Sequence, residues 1–460
     1  MINGEIIVDN FAGGGGASTG IEIAIGKSVD IAINHDPAAI AMHKANHPDT
    51  EHYTEDVWHV DPVEACNGRP VALAWFSPDC KHHSKAKGGK PVSKKIRGLA
   101  WVAVKWAKKV KPRVIMLENV EEFMDWGRLD EKNRPDPRYK GETFRRFVRQ
   151  LEKQGYEVQF RLLRACDYGA PTIRRRFFMI ARCDGSEIVW PEGTHAEPDG
   201  LEVIFGIKKP WVPVSDVLDF SLPCPSIFAT SEEIMEQYGL RAVRPLSEKT
   251  MKRIARGLMK FVINNPKPFI VSIEEEEDCK AANLIQYHSE QTEGVRGQEI
   301  DRPLMTVDSS NRYGLVETFI TQFNNNCEGQ SVDLPLNTMT AHTNHFGEVR
   351  AFLVKYYGNG DNAVSCAEPI PTITAKDRMG LVVVNGENYM IDDIGLRMLT
   401  PRELFDAQGF PHDYIIDRDA DGKEYPRSEQ VARCGNAVCP PIPTALVRAN
   451  LPELCMGVAV

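Results

Sequence analysis

The chain has 460 residues, 42% hydrophobic and 26% charged, which fits a soluble globular protein of two or three domains. No run of about 18 apolar residues offers a membrane span, and the N-terminal strand-like run lacks the basic and apolar regions of a secretory leader. A net charge of −9 excludes a uniformly basic polyanion binder, and eleven scattered cysteines without a C-x-x-C pair exclude a zinc ribbon and fit a reducing compartment. Charge is uneven, however. Between Cys80 and Leu117 there are twelve Lys or Arg and no acid, while Glu274–Asp278 is an acidic run. For nucleic-acid binding the local field outweighs the total.

Residues 5–9 read as the first strand of a parallel sheet. Asn10-Phe11-Ala12 and four glycines, Gly13–Gly16, follow, and then an apolar periodic helix over 17–25. Strand, glycine loop and helix open the nucleotide sites of α/β folds. The spacing is not G-x-G-x-x-G, so the loop suits close backbone approach to an amino-acid-like group better than a pyrophosphate cradle. A tight turn is the plainer reading. Residues 29–33 form a second strand ending at Asn34-His35-Asp36, where such folds hold a ribose. A helix over 38–46 follows, and Glu55-Asp56-Val57 takes the next strand-end loop. Residues 71–77 are a buried strand that delivers Cys80 into a Gly- and Lys-rich loop carrying Lys81, Ser84, Lys85, Lys87 and Lys90. A cysteine there is either a nucleophile beside a basic flap or an ordinary buried thiol. A helix over 96–109 precedes the strand 113–120, which ends in Glu118-Asn119-Val120. Cys80 and Glu118 thus stand at the carboxyl ends of consecutive parallel strands, where open α/β sheets place their sites. A helix over 144–154, a strand over 156–163 and the run Arg174-Arg175-Arg176 before strand 177–181 complete this half.

Proline- and glycine-rich, irregular sequence marks a boundary at 190–215, and 247–262 reads as a capped helix. An internal repeat follows, over about 269–316, 319–349 and 352–382. Its units open on Phe269, Phe319 and Phe352 and carry Pro-[Leu/Ile]-x-Thr at Pro303–Thr306, Pro335–Thr338 and Pro369–Thr372. Each closes on a glycine and an apolar end. A repeated β scaffold with polar tips suits surface recognition, and a plain duplicated sandwich is the alternative. From Ile391 the pattern returns to helix, through Leu399–Phe405 and a final helix after Cys434–Val438. The domains expected are 1–205 for catalysis, 206–390 for recognition, and 391–460 returning to the first.

With these residues in hand, the chain resembles the DNA cytosine-5 methyltransferases of bacteria and phages. The resemblance runs in motif order over about 1–185 and 395–450. It rests on Asp9–Gly16, Pro78-Asp79-Cys80-Lys81, Glu118–Val120, Thr172–Arg176, Leu399–Glu403 with Gln408–Pro411, and Gly435–Val438. Departures are Asp79 and Lys81 beside the cysteine, Thr172 for a glutamine, and Asn34 where the family holds ribose with a glutamate. The resemblance implies a class I methyltransferase-like, doubly wound α/β (Rossmann-like) sheet with an inserted β-rich target recognition domain.

It further implies methyl transfer from S-adenosylmethionine to C5 of a flipped-out cytosine in a specific sequence of duplex DNA, through a Cys80–C6 adduct. Cys80, Glu118, Arg174 and Arg176 would be catalytic. Phe11, Ala12, Gly13, Gly15, Gly16, Asn34, His35, Asp56, Val57, Pro78, Asn436 and Val438 would hold the cofactor. Lys81, Ser84, Lys85, Lys87 and Lys90 would contact DNA. No metal is expected. The expected protein is a cytoplasmic monomer of a bacterial cell or phage-infected host, possessing no obligate protein partner and belonging to the restriction-modification setting. An RNA (tRNA) cytosine-5 methyltransferase, or a non-catalytic DNA-binding relative, is the alternative; the intact Cys, Glu and Arg set and the long recognition stretch disfavour both.

Overall fold

The computed structural model describes residues 4–79, 98–258, 260, 270–272, 278–286, 297–307, 309, 313–322, 353–354, 363–364, 381–384 and 387–455. They form two compact units. The first comprises Met1–Val217, Arg302–Asn311 and Thr400–Val460, and the second Leu218–Asp301 and Arg312–Leu399. The first junction therefore falls at Val217/Leu218 and the return at Thr400, beside the expected 205/206 and 390/391.

The first unit is built on a seven-stranded sheet. Its strands are β1 (Ile6–Asn10), β2 (Ile31–Ile33), β3 (Glu51–Tyr53), β4 (Val71–Phe76), β5 (Val114–Asn119), β6 (Glu157–Arg164) and β7 (Arg175–Arg182). The order is β3-β2-β1-β4-β5-β7-β6. β3, β2, β1, β4 and β5 run parallel, and β7 runs antiparallel to both β5 and β6. Every residue of β1, β4 and β5 is buried. Such continuous apolar runs belong to strands covered on both faces.

Alternation along the strands feeds two cores. Phe76, Ile115, Leu117 and Phe177 join Trp106 of α4 (Trp101–Lys109) and Phe144, Phe147 and Leu151 of α5 (Glu142–Glu152). Trp75, Val114, Met116 and Phe178 join Ile21 of α1 (Gly16–Ile25) on the other face, together with Ile442, Leu446 and Val447. α2 (Pro37–Asn46) and α3 (Pro62–Cys66) each start on an aspartate, Asp36 or Asp61, whose carboxylate accepts a backbone N–H, with proline in the first turn. α4 begins at Trp101, after a turn at 98–100, and residues 96–97 of the helix expected over 96–109 lie outside the described residues.

In the second unit, α6 (Ser231–Tyr238) carries a full capping box, Thr230 with Glu233, and α7 spans Glu248–Leu258. Its sheet contains β8 (Ile270–Ser272), β9 (Asp278–Gln286), β10 (Gly297–Glu299), β11 (Tyr313–Gln322), β12 (Leu381–Val384) and β13 (Glu387–Met398). β13 corrects one expectation. Residues 391–398 do not open the helical return; they pair with β11 as a strand, with Ile394 and Leu396 buried. The first repeat also divides. Its strands are in the second unit, but Pro303-Leu304-Met305-Thr306 lies in the first. The second and third Pro-[Leu/Ile]-x-Thr segments lie outside the described residues.

The chain returns through α8 (Pro401–Ala407), α9 (Arg427–Asn436) and α10 (Pro441–Asn450). α10 packs on α1 through Ile442 and Leu446. Gly20 is required there: a Cβ would stand 2.4 Å from the Pro440 carbonyl oxygen. Among the described residues no helix is long and apolar enough to cross a membrane.

Candidate active site

The order β3-β2-β1-β4-β5 reverses its direction of progression between β1 and β4, the place where open α/β sheets form their crevice. Backbone bonds hold the strand-end loops side by side there. Ala12 N–H donates to Ile33 O at 3.1 Å, Asn34 N–H to Tyr53 O at 3.1 Å, and Ser77 N–H to Asn10 O at 3.2 Å. These bonds bring the expected cofactor residues Phe11, Ala12 and Gly13 beside Asn34 and His35, with Asp56 and Val57 following β3. Phe11 has φ 65° and Gly13 φ 53°. Among the described residues, a Cβ built on Gly13 would find only the Phe11 carbonyl oxygen, at 3.7 Å, which leaves this loop position open to close approach. Asn34 is buried and its Oδ1 accepts from Asp36 N–H at 2.9 Å; His35 is exposed.

The remaining glycines face protein. A Cβ on Gly15 would meet the Tyr414 hydroxyl at 2.2 Å, and one on Gly16 would meet the Val438 carbonyl oxygen at 2.1 Å. Tyr414 Oη–H donates to Gly14 O at 2.8 Å. The glycine run therefore lets the returning chain lie directly against the loop. Asn436 is exposed between buried Gly435 and Ala437, and Val438 is buried.

At the end of β5, Glu118 is 7% exposed. Arg176 Nε lies 3.5 Å from Glu118 Oε1. Burial raises the Glu118 carboxyl above its ordinary range, against the lowering pull of Arg176 and then Arg174. A carboxyl shifted in this direction is more readily protonated than an exposed one, and in its protonated form it can donate a hydrogen bond. Asn119 secures the neighbouring loop: its Nδ2–H donates to Pro78 O at 3.0 Å, and its Oδ1 accepts from Val120 N–H at 2.9 Å. Pro78 is buried; Cys80 and the expected DNA-contacting residues Lys81, Ser84, Lys85, Lys87 and Lys90 lie outside the described residues.

Arg174 occupies a different setting. It is 4% exposed. Its Nη1 donates to Val307 O at 2.7 Å and Gly435 O at 3.0 Å, and its Nη2 to Ala437 O at 3.1 Å.

A buried polar chain beside the glycine loop gave no signal in the sequence. Asp9 Oδ2 accepts from Ser18 Oγ–H at 2.8 Å. Ser18 Oγ lies 2.9 Å from His43 Nε2, and His43 Nδ1 lies 2.9 Å from His52 Nε2. Burial, then the charges of His47 and His52, hold His43 well below its ordinary value. A neutral His43 with its proton on Nε2 accepts from His52 and donates to Ser18, so every donor points toward Asp9. The pairing needs α1, α2 and β3 to converge, which local patterning does not reveal.

Parallel strand ends, a glycine loop open at one position and a buried carboxyl paired with arginine define an α/β enzyme of the class I methyltransferase type. Residues 6–249 and 266–450 match the family model described as C-5 cytosine-specific DNA methylase, and the chain belongs to that family. It is 30% identical over 195 residues to the type II methyltransferase M1.HphI of Haemophilus parahaemolyticus, covering 41% of this chain and 49% of that one. It is 26% identical over 241 residues to the type II methyltransferase M.AquIA of Picosynechococcus sp., covering 48% and 92%. The match thus spans about half the length of M1.HphI. The S. pombe Dnmt2 methyltransferase structure aligns over 98% of this chain and 99% of its own, at 13% identity and a TM-score of 0.49.

Proposed function

We propose that the chain methylates C5 of a cytosine flipped out of a specific sequence in duplex DNA, with S-adenosylmethionine as donor and Cys80 as nucleophile. The observation that carries this reading is Arg176 against Glu118 at 3.5 Å, at the end of β5 beside the Pro78 loop that leads to Cys80. The strand-end residues fit the cofactor. The open Gly13 position accepts close backbone approach, and Asn34, Asp56 and Asn436 offer polar groups to a ribose and an amino acid. When bound, the cofactor supplies an electrophilic methyl group.

C5 of cytosine is electron-poor, and a thiolate bonding to C6 breaks the aromaticity and makes C5 enamine-like. Negative charge then builds at N3. A protonated Glu118 donates a hydrogen bond there and neutralises that charge. Arg176 holds the O2 side and keeps the Glu118 carboxyl oriented. A stacked base cannot reach such a pocket, so the base must leave the duplex, and the lysines after Cys80 supply phosphate contacts around it. The second unit is assigned to groove readout.

The test is Cys80→Ala. The variant is expected to bind duplex DNA and S-adenosylmethionine while yielding no 5-methylcytosine by mass measurement of the digested DNA. Undiminished methylation by the purified variant overturns the reading.

A further inference from the structure

Both terminal nitrogens of Arg174 are engaged with protein carbonyls, while its Nε is buried with no hydrogen-bond partner among the described residues. Its three bonds reach carbonyls from two segments far apart in the chain, Val307 on one side and Gly435 and Ala437 on the other. All three acceptor residues are buried. Without the guanidinium they would lose their partner inside the fold, which costs more than the same loss at the surface.

The Val307 side is itself fastened. Leu304 N–H donates to Pro171 O at 2.7 Å, and Ile173 N–H donates to Leu304 O at 2.7 Å. Thr172 Oγ1–H donates to Met305 O at 3.3 Å and accepts from Arg174 N–H at 3.3 Å. Val214 N–H donates to Arg302 O at 2.9 Å. Leu304 is 0% and Val307 1% exposed. The first Pro-[Leu/Ile]-x-Thr segment is thus a strap laid alongside 171–174 within the first unit, immediately before Arg176. On the other side, Gly435 and Ala437 flank Asn436, and the next carbonyl, that of Val438, abuts Gly16.

We propose that Arg174 is a positioning residue rather than a catalytic one: it locks the 302–307 strap to the 435–437 loop and so sets the cofactor pocket around Asn436 and the glycine loop. This rests on the methyltransferase reading given above. Its geometry requires a planar cation with several fixed donors. A lysine keeps the charge but cannot reproduce the fork across three carbonyls. Disturbance then travels to Asn436 and Gly16, on the cofactor side, while Arg176 keeps Glu118.

The test measures two quantities on the full chain, the Kd for S-adenosylmethionine by titration calorimetry and the single-turnover methyl-transfer rate at saturating cofactor. Arg174→Lys is expected to raise the Kd by about tenfold, equivalent to ~1.4 kcal/mol, and to slow the saturated rate by less than about threefold. Arg176→Lys is expected to do the reverse, slowing the rate with the Kd unmoved. An Arg174→Lys protein with wild-type Kd and a rate lowered like that of Arg176→Lys overturns the proposal. Thr172→Val keeps the shape and removes the hydroxyl between Arg174 and the strap, so a Kd raised about threefold with the rate retained is expected. If Arg174→Lys does not fold, an unchanged Kd in Thr172→Val overturns the proposal. A wild-type chain that forms no 5-methylcytosine in any duplex defeats the methyltransferase reading alone, since the Kd shifts are read independently of turnover.

Discussion

Asn119 ties two strand ends together: its side-chain amide donates to the carbonyl of Pro78 at 3.0 Å, joining the end of β5 to the loop leaving β4. The group is fully buried, so the bond has no competing water. Asn119→Asp places a carboxylate against that carbonyl and removes the donor. The expected loss is on the order of 1–3 kcal/mol of stability and at least about tenfold in transfer rate, because the loop carrying Cys80 loses its anchor. Thermal melting and single-turnover kinetics check both; wild-type kinetics with lowered stability would show that Asn119 only supports the fold.

Glu118→Gln is close to isosteric with the protonated acid that burial favours. Cofactor Kd is therefore expected to stay within about twofold, while methyl transfer falls by roughly 100-fold or more, the range for a lost general acid. Radiolabel transfer at saturating cofactor distinguishes the two. A fall confined to cofactor affinity would remove Glu118 from the chemistry.

Asp9 makes stability depend on pH. Burial raises its carboxyl from 3.8 to about 7, against the lowering hydrogen bond from Ser18. The folded state holds this proton more tightly than the unfolded chain does. Its contribution is complete below pH 3.8 and is lost as pH rises through about 7, a change on the order of 4 kcal/mol. His52 acts oppositely: burial, then the charge of Lys44, lowers it from 6.5 to about 4, so its contribution is present above 6.5 and lost as pH falls through 4. Asp9→Asn should remove the decline that Asp9 contributes between pH 3.8 and about 7, so that stability rises more steeply with pH there than in the wild type while the opposing His52 contribution stays in place. A denaturation series across pH reads this directly, and an unchanged slope in that range would refute it.

Gly16→Ala forces a methyl group to 2.1 Å from the Val438 carbonyl oxygen, a backbone atom that cannot rotate away. Gly68 is the contrast, with φ 71° and, among the described residues, nothing within 4 Å of its Cβ position. Gly68→Ala should cost about 1 kcal/mol of backbone strain, and Gly16→Ala several times that. Comparing the two melting temperatures tests whether the loop glycine serves packing of the returning chain.

The placement of Glu118, Pro78, Asn34 and the glycine loop at strand ends was legible because buried parallel strands are continuous apolar runs, and their ends are where the pattern breaks. Partners distant in the chain were not. The four glycines read equally well as approach points for a ligand, yet Gly15 and Gly16 answer to Tyr414 and Val438. Arg174 and Arg176 stand two residues apart in one basic run, and only the folded chain separates the residue facing Glu118 from the one bound to Val307, Gly435 and Ala437. Asp9, Ser18, His43 and His52 come from four elements with no shared periodicity. Residues 391–398 of β13 were obscured by the helical run that follows them.

The hydroxyl of Tyr414 and the carbonyl it caps at Gly14 are 400 residues apart. At synthesis rates of about 5–20 residues per second, the glycine loop leaves the ribosome roughly 20–80 s before its partner exists. Throughout that interval the apolar face of α1 that α10 will cover, Ile21 included, is bare. Surface left bare for so long during synthesis is of the kind that chaperones and proteases act on, so the loop at Gly14 is completed by a segment made long after it.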